Sequence, residues 1–154
     1  MSKVIALDYE HEHDYELIGI NSTLEDYRLA YLLNKNLPIN LVREPKDLDF
    51  SNMNCSFAFY NYNCEKTFSS WSLLANRHVF ISNTVEKTNL FNEESKISYL
   101  INEKKEVDFF FKLQGDFDSK SLKLLLERIN KIKGVIASFT IDPLTLKSKD
   151  FLIY

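Results

Sequence analysis

The chain has very few residues that break or bend a backbone. Its 154 residues include only three glycines and three prolines, and no stretch is repeated or low in complexity. Segments that link separate domains are usually rich in such residues, so their scarcity argues against a linker. The length is also typical of one domain. The sequence therefore predicts a single domain over residues 1–154.

Cysteine and long apolar runs are scarce as well. Cys55 and Cys64 flank a predicted turn and could approach across a hairpin, but two isolated thiols are more typical of a reducing cytosol. No basic segment precedes an apolar one at the start of the chain, and no apolar run has the length of a membrane span. We therefore expect a cytoplasmic protein without a membrane partner.

An excess of positive charge is also missing, whereas aromatic residues are abundant. The net charge of −3 argues against nucleic acid as a partner, because clustered lysines and arginines supply the affinity for phosphate backbones. Twelve phenylalanines and eight tyrosines, together with one tryptophan, make up 14% of the chain. Residues that bury so much apolar area predict a core rich in aromatic rings.

Two segments have the hydrophobic spacing of amphipathic helices. In the first, Ser22 and Glu25 form a capping-box pattern, and Pro38 prevents the helix from continuing. Its predicted apolar face consists of Leu24, Tyr27, Tyr31, Leu32 and Leu33. The second helix begins after a cap at Asp118 or Ser119 and ends at Gly134. Its apolar stripe consists of Leu122, Leu125, Leu126, Ile129 and Ile132.

Alternating or continuous apolar residues predict several strands around these helices. The main strands are 15–21, 55–62, 67–75, 107–113 and 135–142, with shorter ones possible at 3–7, 78–82 and 151–154, and a loop at 83–94. In the 107–113 strand, Val107, Phe109, Phe111 and Leu113 should share one face. The predicted fold class is α+β: a two-layer sandwich in which two helices cover one face of a mostly antiparallel sheet. A ferredoxin-like arrangement is one candidate topology.

The stretch EHEHDYE, residues 10–16, is a candidate metal site. His11 and His13 would point to one side of an extended chain, where imidazoles can bind a transition metal. A working site needs a third ligand, and His78 is the only other histidine. We interpret the stretch as a solvated segment that leads into a strand, and we predict no metal ligand.

Motifs of catalysis and cofactor binding are missing from the sequence. There is no nucleophile elbow, neither cysteine has a recognisable catalytic context, and the three glycines are isolated from one another. The carboxylates Glu103, Asp108 and Asp116 are the remaining catalytic candidates, since acid–base work uses paired carboxylates in a pocket. We predict no catalytic and no cofactor-binding residue, and whether the protein is an enzyme stays open, with the balance against it.

Residues 101–109, INEKKEVDF, resemble the IPExxxVDY family of small bacterial proteins, known mainly from Bacteroidetes. The positions that match the family motif, with its spacing intact, are Ile101, Glu103, Val107 and Asp108. Further stretches that look like the family are 7–8, 17–20, 26–37 and 141–149. The resemblance implies membership of the family but no activity, substrate or catalytic residue.

Two positions depart from that motif. Asn102 stands at the motif's proline, and Phe109 stands at its tyrosine. Any chemistry that required the phenolic hydroxyl would be lost here. Because Phe109 lies on the predicted apolar face, its ring is expected to be a packing element.

Association is the function that these observations favour. We expect a non-catalytic protein that binds another protein or a second copy of itself, with Tyr60, Tyr62 and Phe110 as an exposed aromatic patch. The alternative is a small-molecule-binding protein or enzyme with an acidic pocket near Glu103 and Asp108, to which Asp116 could also contribute. The sequence predicts no cofactor and no nucleic-acid partner.

Overall fold

The computed structural model describes residues 15–46, 48–50, 55–83, 93–147 and 152. Within them the chain forms ten strands, two α-helices and two short 3₁₀ turns. The strands are β1 (Glu16–Ser22), β2 (Val42–Arg43), β3 (Leu48–Phe50), β4 (Cys55–Phe57), β5 (Phe59–Cys64), β6 (Ser69–Ala75), β7 (Arg77–Asn83), β8 (Glu93–Tyr99), β9 (Phe109–Gln114) and β10 (Val135–Ile141). The helices are α1 (Asp26–Asn36) and α2 (Ser119–Asn130), and the 3₁₀ turns are Asn102–Lys104 and Pro143–Thr145.

Six of the strands form one antiparallel sheet. Their order is β10-β1-β9-β6-β5-β2, and β3–β4 and β7–β8 are separate two-stranded sheets. The four strands β10-β1-β9-β6, with a helix after β1 and another after β9, have the order and directions of the ferredoxin-like arrangement. The predicted α+β class and the candidate topology are confirmed.

Both helices pack on one face of this sheet. Leu29 and Leu33 of α1, with Leu125 and Ile129 of α2, are buried against sheet side chains. The sheet contributes Ile18, Ile20, Tyr60, Leu73, Phe109, Phe111 and Leu113 to this core. These residues alternate along their strands with residues of the other face, as pleated strands require.

The opposite face of the sheet is buried too. Phe110 is inaccessible to solvent, and it packs in a second core with Leu17, Phe59 and Leu74. The cover consists of Tyr15, Phe57, Leu100, Ile101, Val107, Leu146 and Leu152. Two buried faces explain why this chain needs so many aromatic residues: each layer must be filled, and rings bury more area than aliphatic side chains.

The prediction that Val107, Phe109, Phe111 and Leu113 share one face is correct only from Phe109 onward. Strand β9 begins at Phe109, and Val107 lies in the turn before it. Val107 therefore enters the second core, whereas Phe109 enters the helix-side core. Strict alternation applies only inside a strand, so a pattern that is extended beyond the first strand residue assigns the wrong face.

The second helix was predicted well. Asp118 caps it, since its Oδ1 accepts a hydrogen bond from the Ser121 amide at 2.7 Å. Leu125, Ile129 and the following Ile132 are buried, and the other two residues of the predicted stripe are partly buried. The predicted end is wrong, since α2 ends at Asn130 and Lys131 is its C-cap. Gly134 does have the predicted positive φ, +106°, but it lies in the turn that leads into β10.

The first helix differs from its prediction at its start and on its surface. Glu25 is the residue before the helix and makes no side-chain cap, so the capping box of Ser22 and Glu25 does not form. Tyr27 and Tyr31 are 66% and 64% exposed, because the buried face of α1 is formed by Leu29, Ala30 and Leu33 instead. Tyrosine tolerates such exposure, since its hydroxyl can remain in water.

Two strand predictions need correction and others lie outside the described residues. Residues 77–83 pair with the strand at 93–99, which the sequence did not indicate, so they do not extend the main sheet. The single strand predicted at 55–62 is split, since β4 pairs with β3 and β5 with β6. The predictions for residues 3–7 and for His11 and His13 fall outside the described residues. So does the predicted final strand at 151–154, apart from Leu152. No helix in the described part of the chain combines the length and the apolar character that crossing a membrane requires.

Candidate functional site

A polar cleft of about 440 Å³ lies at one end of the main sheet, where β1 ends and α1 begins. Segments from six parts of the chain meet there: the β1–α1 turn, β2, the residue before β5, the end of β6, the start of β7 and the start of β9. Its walls are formed by Ser22, Thr23, Leu24, Glu25, Asp26, Arg43, Ala58, Ala75, Arg77, His78, Asp108 and Phe109. Small residues at positions 58 and 75 leave room between the charged ones.

Asp108 ties two walls of the cleft together. Its Oδ2 accepts a hydrogen bond from the Ser22 amide at 2.9 Å, and its own amide donates to the Ile20 carbonyl at 3.1 Å. Ser22 then continues the connection, since its Oγ donates to the Gly134 carbonyl at 2.7 Å and accepts from the Leu24 amide. These contacts hold the turn into α1 against the start of β9. They also explain why Ser22 does not cap the helix.

Asn76 holds the segment that carries the IPExxxVDY-like motif. This fully buried side chain donates to the carbonyls of Lys104 and Val107 and accepts from the Ile101 amide, all within 2.9 Å. Its backbone amide donates to the Asp108 carbonyl. Ile101 and Val107 are themselves inaccessible, so three of the four motif positions have a structural role. The fourth, Glu103, is exposed in the 3₁₀ turn.

Asp26 and Arg43 form an ion pair in the wall of the cleft. Arg43 Nη1 lies 3.0 Å from Asp26 Oδ2, and the same oxygen accepts a hydrogen bond from the Tyr60 hydroxyl at 2.7 Å. The Arg43 guanidinium also lies over the Tyr60 ring, 5.4 Å from its centroid. Burial, followed by the hydrogen bond to Asp26, raises the pKa of Tyr60. Asp26, Arg43 and Tyr60 therefore interact with one another at this wall.

Arg77 is the cationic group of the cleft that is left for a ligand. Its exposed guanidinium has no hydrogen-bond or ion-pair partner among the described residues. Beside it, His78 is half-buried and packs edge-on against the Phe57 ring, 6.2 Å between centroids. Asp108, in the same cleft, uses only Oδ2 within the described part of the chain, so Oδ1 can accept from a ligand. The cleft therefore offers a donor and an acceptor of opposite charge.

The first turn of α1 adds backbone donors to the same cleft. The amides at the start of a helix have no partner inside it, and Glu25 does not satisfy them with a side-chain cap. The Leu29 amide is the first to bond within the helix, to the Glu25 carbonyl at 2.9 Å. Amides at a helix start favour acceptor groups on a ligand.

The acidic residues predicted from the sequence do not converge. Asp108 lines the cleft, but Asp116 follows the far end of β9 and is exposed, and Glu103 is not part of the cleft wall. A strand of six residues separates Asp108 from Asp116. Of the three carboxylates in the alternative interpretation, an acidic pocket near Glu103 and Asp108 with a contribution from Asp116, only Asp108 lines the cleft.

The predicted aromatic patch is not on the surface. Tyr60 and Phe110 are buried on opposite faces of the sheet, and Tyr62 packs against the helix-side core. The pairing of β5 with β6 places Tyr60 opposite Leu73 and Tyr62 opposite Trp71, which directs both tyrosines toward the helices. The expectation of an exposed patch is therefore wrong, for the reason that both sheet faces are covered.

Cys64, the last residue of β5, is a free thiol. Hydrogen bonds from Thr67, and then from Tyr62, lower its pKa to about 7. Among the described residues, no three histidine, cysteine or acidic side chains are grouped to hold a metal ion. Whether His11 and His13 bind a metal is not tested by the described residues.

Comparison with known proteins does not identify the chain. No protein-family model matches it, and neither a curated protein nor a solved structure is detectably similar to it. The resemblance to the IPExxxVDY family therefore stays a prediction.

The residues that sequence reasoning missed are Asn76, Arg43 and Arg77. None belongs to a contiguous motif, because the cleft is assembled from segments far apart in the chain. The sequence contains a weak signal for Asn76 alone, which lies directly between two apolar strands. Asparagine is rare in strands, so its presence there indicates a side chain that forms specific hydrogen bonds.

Proposed function

We propose that the protein binds a small zwitterion, of the free amino acid class, in the cleft at the start of α1. The observation that supports this is that the wall of one cleft carries an arginine and an aspartate, neither of which is fully engaged by described residues. Arg77 offers an unengaged guanidinium, and Asp108 keeps one carboxylate oxygen available. A carboxylate on the ligand pairs with Arg77, and its ammonium group pairs with Asp108.

The net charge of the cleft favours a zwitterion over a simple anion. Glu25, Asp26 and Asp108 outnumber Arg43 and Arg77 along its walls. Arg43 neutralises Asp26 at 3.0 Å, which leaves an acidic excess. An anion alone would meet that excess, whereas a ligand that also carries a positive group is attracted to it. The volume of about 440 Å³ is within the range of small-ligand sites.

Calorimetric titration with individual L-amino acids tests the proposal. The expected result is saturable binding of at least one of them, weakened on the order of tenfold by Arg77→Gln because a charge-assisted pair is lost. Arg128→Gln is the matched control, since Arg128 is an exposed arginine on α2 outside the cleft. Equal affinities for these two variants, or no binding of any amino acid, would contradict the proposal.

Asp108→Asn tests the contribution of the ligand's ammonium group separately from that of its carboxylate. The asparagine oxygen still accepts the Ser22 amide, so the turn into α1 is retained while the negative charge is removed. We expect this variant to bind the amino acid more weakly. Its affinity for the matching carboxylic acid without the amino group should not fall, and should rise slightly because one negative charge is removed from an acidic cleft. Equal losses for both ligands would show that Asp108 acts only on the fold.

Association with another protein, or with a second copy, is the second candidate. It no longer draws on Tyr60, Tyr62 or Phe110, but an edge strand of the main sheet supports it. We further propose that the protein is a non-catalytic member of the IPExxxVDY family that works in the cytoplasm. The free thiol of Cys64 suits a reducing compartment.

A further inference from the structure

Strand β10 is the edge of the main sheet and has only one partner strand. It pairs with β1 from Ile141 to Ala137 in regular antiparallel register. Among the described residues, no strand pairs with its other side. The strand VIASFTI contains no charge and no proline. Edge strands usually carry such residues when they must stay unpaired, so this one is suited to pairing.

The backbone directions show which groups of β10 face outward. The Ile20 carbonyl accepts from the Asp108 amide and the Ser22 amide donates to the Asp108 side chain, so alternate residues of β1 direct their backbone toward β9. The intervening residues of β1 direct their backbone toward β10 instead, and the β10 residues that pair with them include Phe139 and Ile141. Ser138 and Thr140 lie between those partners. Their amides and carbonyls therefore point away from the sheet.

From this arrangement we propose that a second copy of the chain pairs with β10 across a two-fold axis at Phe139. Antiparallel pairing in this register sets Ser138 of each copy opposite Thr140 of the other. All the outward amides and carbonyls of these two residues then find partners, which makes four hydrogen bonds between the chains. The two six-stranded sheets become one continuous sheet. This dimer is independent of ligand binding in the cleft.

The ends of β10 fit an antiparallel partner. Ile136 lies before the regular part of the strand and is 70% exposed, and Leu144 lies after it and is 56% exposed. An antiparallel second copy brings the Ile136 end of each strand against the Leu144 end of the other, so these apolar side chains are covered together. The same pairing brings the lysine at position 133 toward the acidic end at Asp142. A parallel partner would place like ends together.

An irregularity limits the pairing to the centre of the strand. The register with β1 shifts between Asn21 and Ser22, which leaves Ile136 as an extra residue of β10. Only residues 137–141 are regular, and the two-fold register at Phe139 uses this part alone. The bulge thus fixes where a second copy can pair.

Sedimentation velocity tests the dimer with a substitution on the outward side. Thr140→Pro removes an amide that points away from β1, and proline is tolerated at such edge positions. Thr140→Val is the matched control, since it keeps both the amide and the branched side chain. We expect the unmodified protein and Thr140→Val to sediment as two 18.1 kDa chains. In Thr140→Pro the dimer should dissociate on the order of tenfold more readily or more, because hydrogen bonds are lost from both copies.

Thr140→Lys is a second variant that leaves every backbone group in place. A lysine on an exposed edge strand opposes pairing, so this variant should also be monomeric. Its melting temperature should equal that of Thr140→Val when the latter is measured at concentrations low enough for its dimer to dissociate. An unmodified protein that sediments as one chain throughout the micromolar range would overturn the proposal. So would a Thr140→Pro or Thr140→Lys protein that is folded and as dimeric as the Thr140→Val control.

Discussion

Asn76 is the residue on which the motif segment depends most. Replacing it by alanine leaves the Ile101 amide and two carbonyls without their partner in a fully buried place. Each unsatisfied buried group costs about 1–3 kcal/mol, so Asn76→Ala should lower the free energy of unfolding by about 3 kcal/mol or more. Urea unfolding measures it. Asn102→Ala, an exposed change in the same segment, should stay within about 0.5 kcal/mol. Similar values for the two variants would refute this role.

Lys112 is a second residue whose role can be measured, through the effect of its lowered pKa on stability. Its amino group is buried on the second sheet face, donates to the Leu152 carbonyl at 2.5 Å and lies 4.6 Å from the Tyr15 ring centroid. Burial lowers its pKa to about 8 from 10.5. Below pH 8 the charged amine is desolvated in the native state. Between pH 8 and 10.5 the unfolded chain binds more protons, so stability should rise with pH.

Lys112→Met isolates this contribution, because every other titrating group is common to both proteins. We expect the stability of the unmodified protein, relative to the methionine variant, to increase between pH 8 and 10.5 and to be constant below pH 8. Chemical unfolding across this pH range is the measurement. A relative stability that is flat, or that falls with rising pH, would mean that the amine is not depressed in pKa.

At the scale of elements, the turn from α2 into β10 is held by a glycine. Gly134 has a φ of +106°, and a Cβ there would lie 2.6 Å from a Leu24 side-chain atom. Its carbonyl also accepts from Ser22, next to the cleft. Gly134→Ala should therefore cost about 1–3 kcal/mol, by strain and by overlap with Leu24. Lys131→Ala, an exposed change in the same turn, is the control in thermal unfolding. A loss no larger than that of the control would contradict this prediction.

Sequence reasoning succeeded where local rules determine the element. The Asp118 cap, the stripe of α2 and the left-handed Gly134 all follow from neighbours within a few residues. It failed where a distant partner decides: Ser22 bonds to Gly134 instead of capping α1, and Val107 enters the second core because Asn76 shapes its turn. The cleft could be anticipated only through Asp108. Arg43 and Arg77 reach it from strands whose positions depend on the pairing of the whole sheet.

At the scale of the molecule, coverage of both sheet faces predicts where the fold is most stable. Strands β1, β9 and β6 lie inside the sheet between two cores, so their amides should exchange hydrogen only on global unfolding. The outward amides of Ser138 and Thr140 should exchange fast in the monomeric Thr140→Lys variant and slowly in the unmodified dimer. Hydrogen exchange followed by mass spectrometry or NMR measures both. Uniformly fast exchange in β9 would contradict the two-core description.

The ligand proposal is tested most directly by NMR titration of ¹⁵N-labelled protein with the amino acid that calorimetry selects. The account predicts saturable shifts of the Thr23–Asp26 amides and of the Arg77 Nε resonance, with the same dissociation constant at each. Resonances of α2, which lies outside the cleft, should stay unchanged. Saturable shifts located elsewhere, or an unmoved Arg77 Nε at saturation, would contradict the cleft as the binding site.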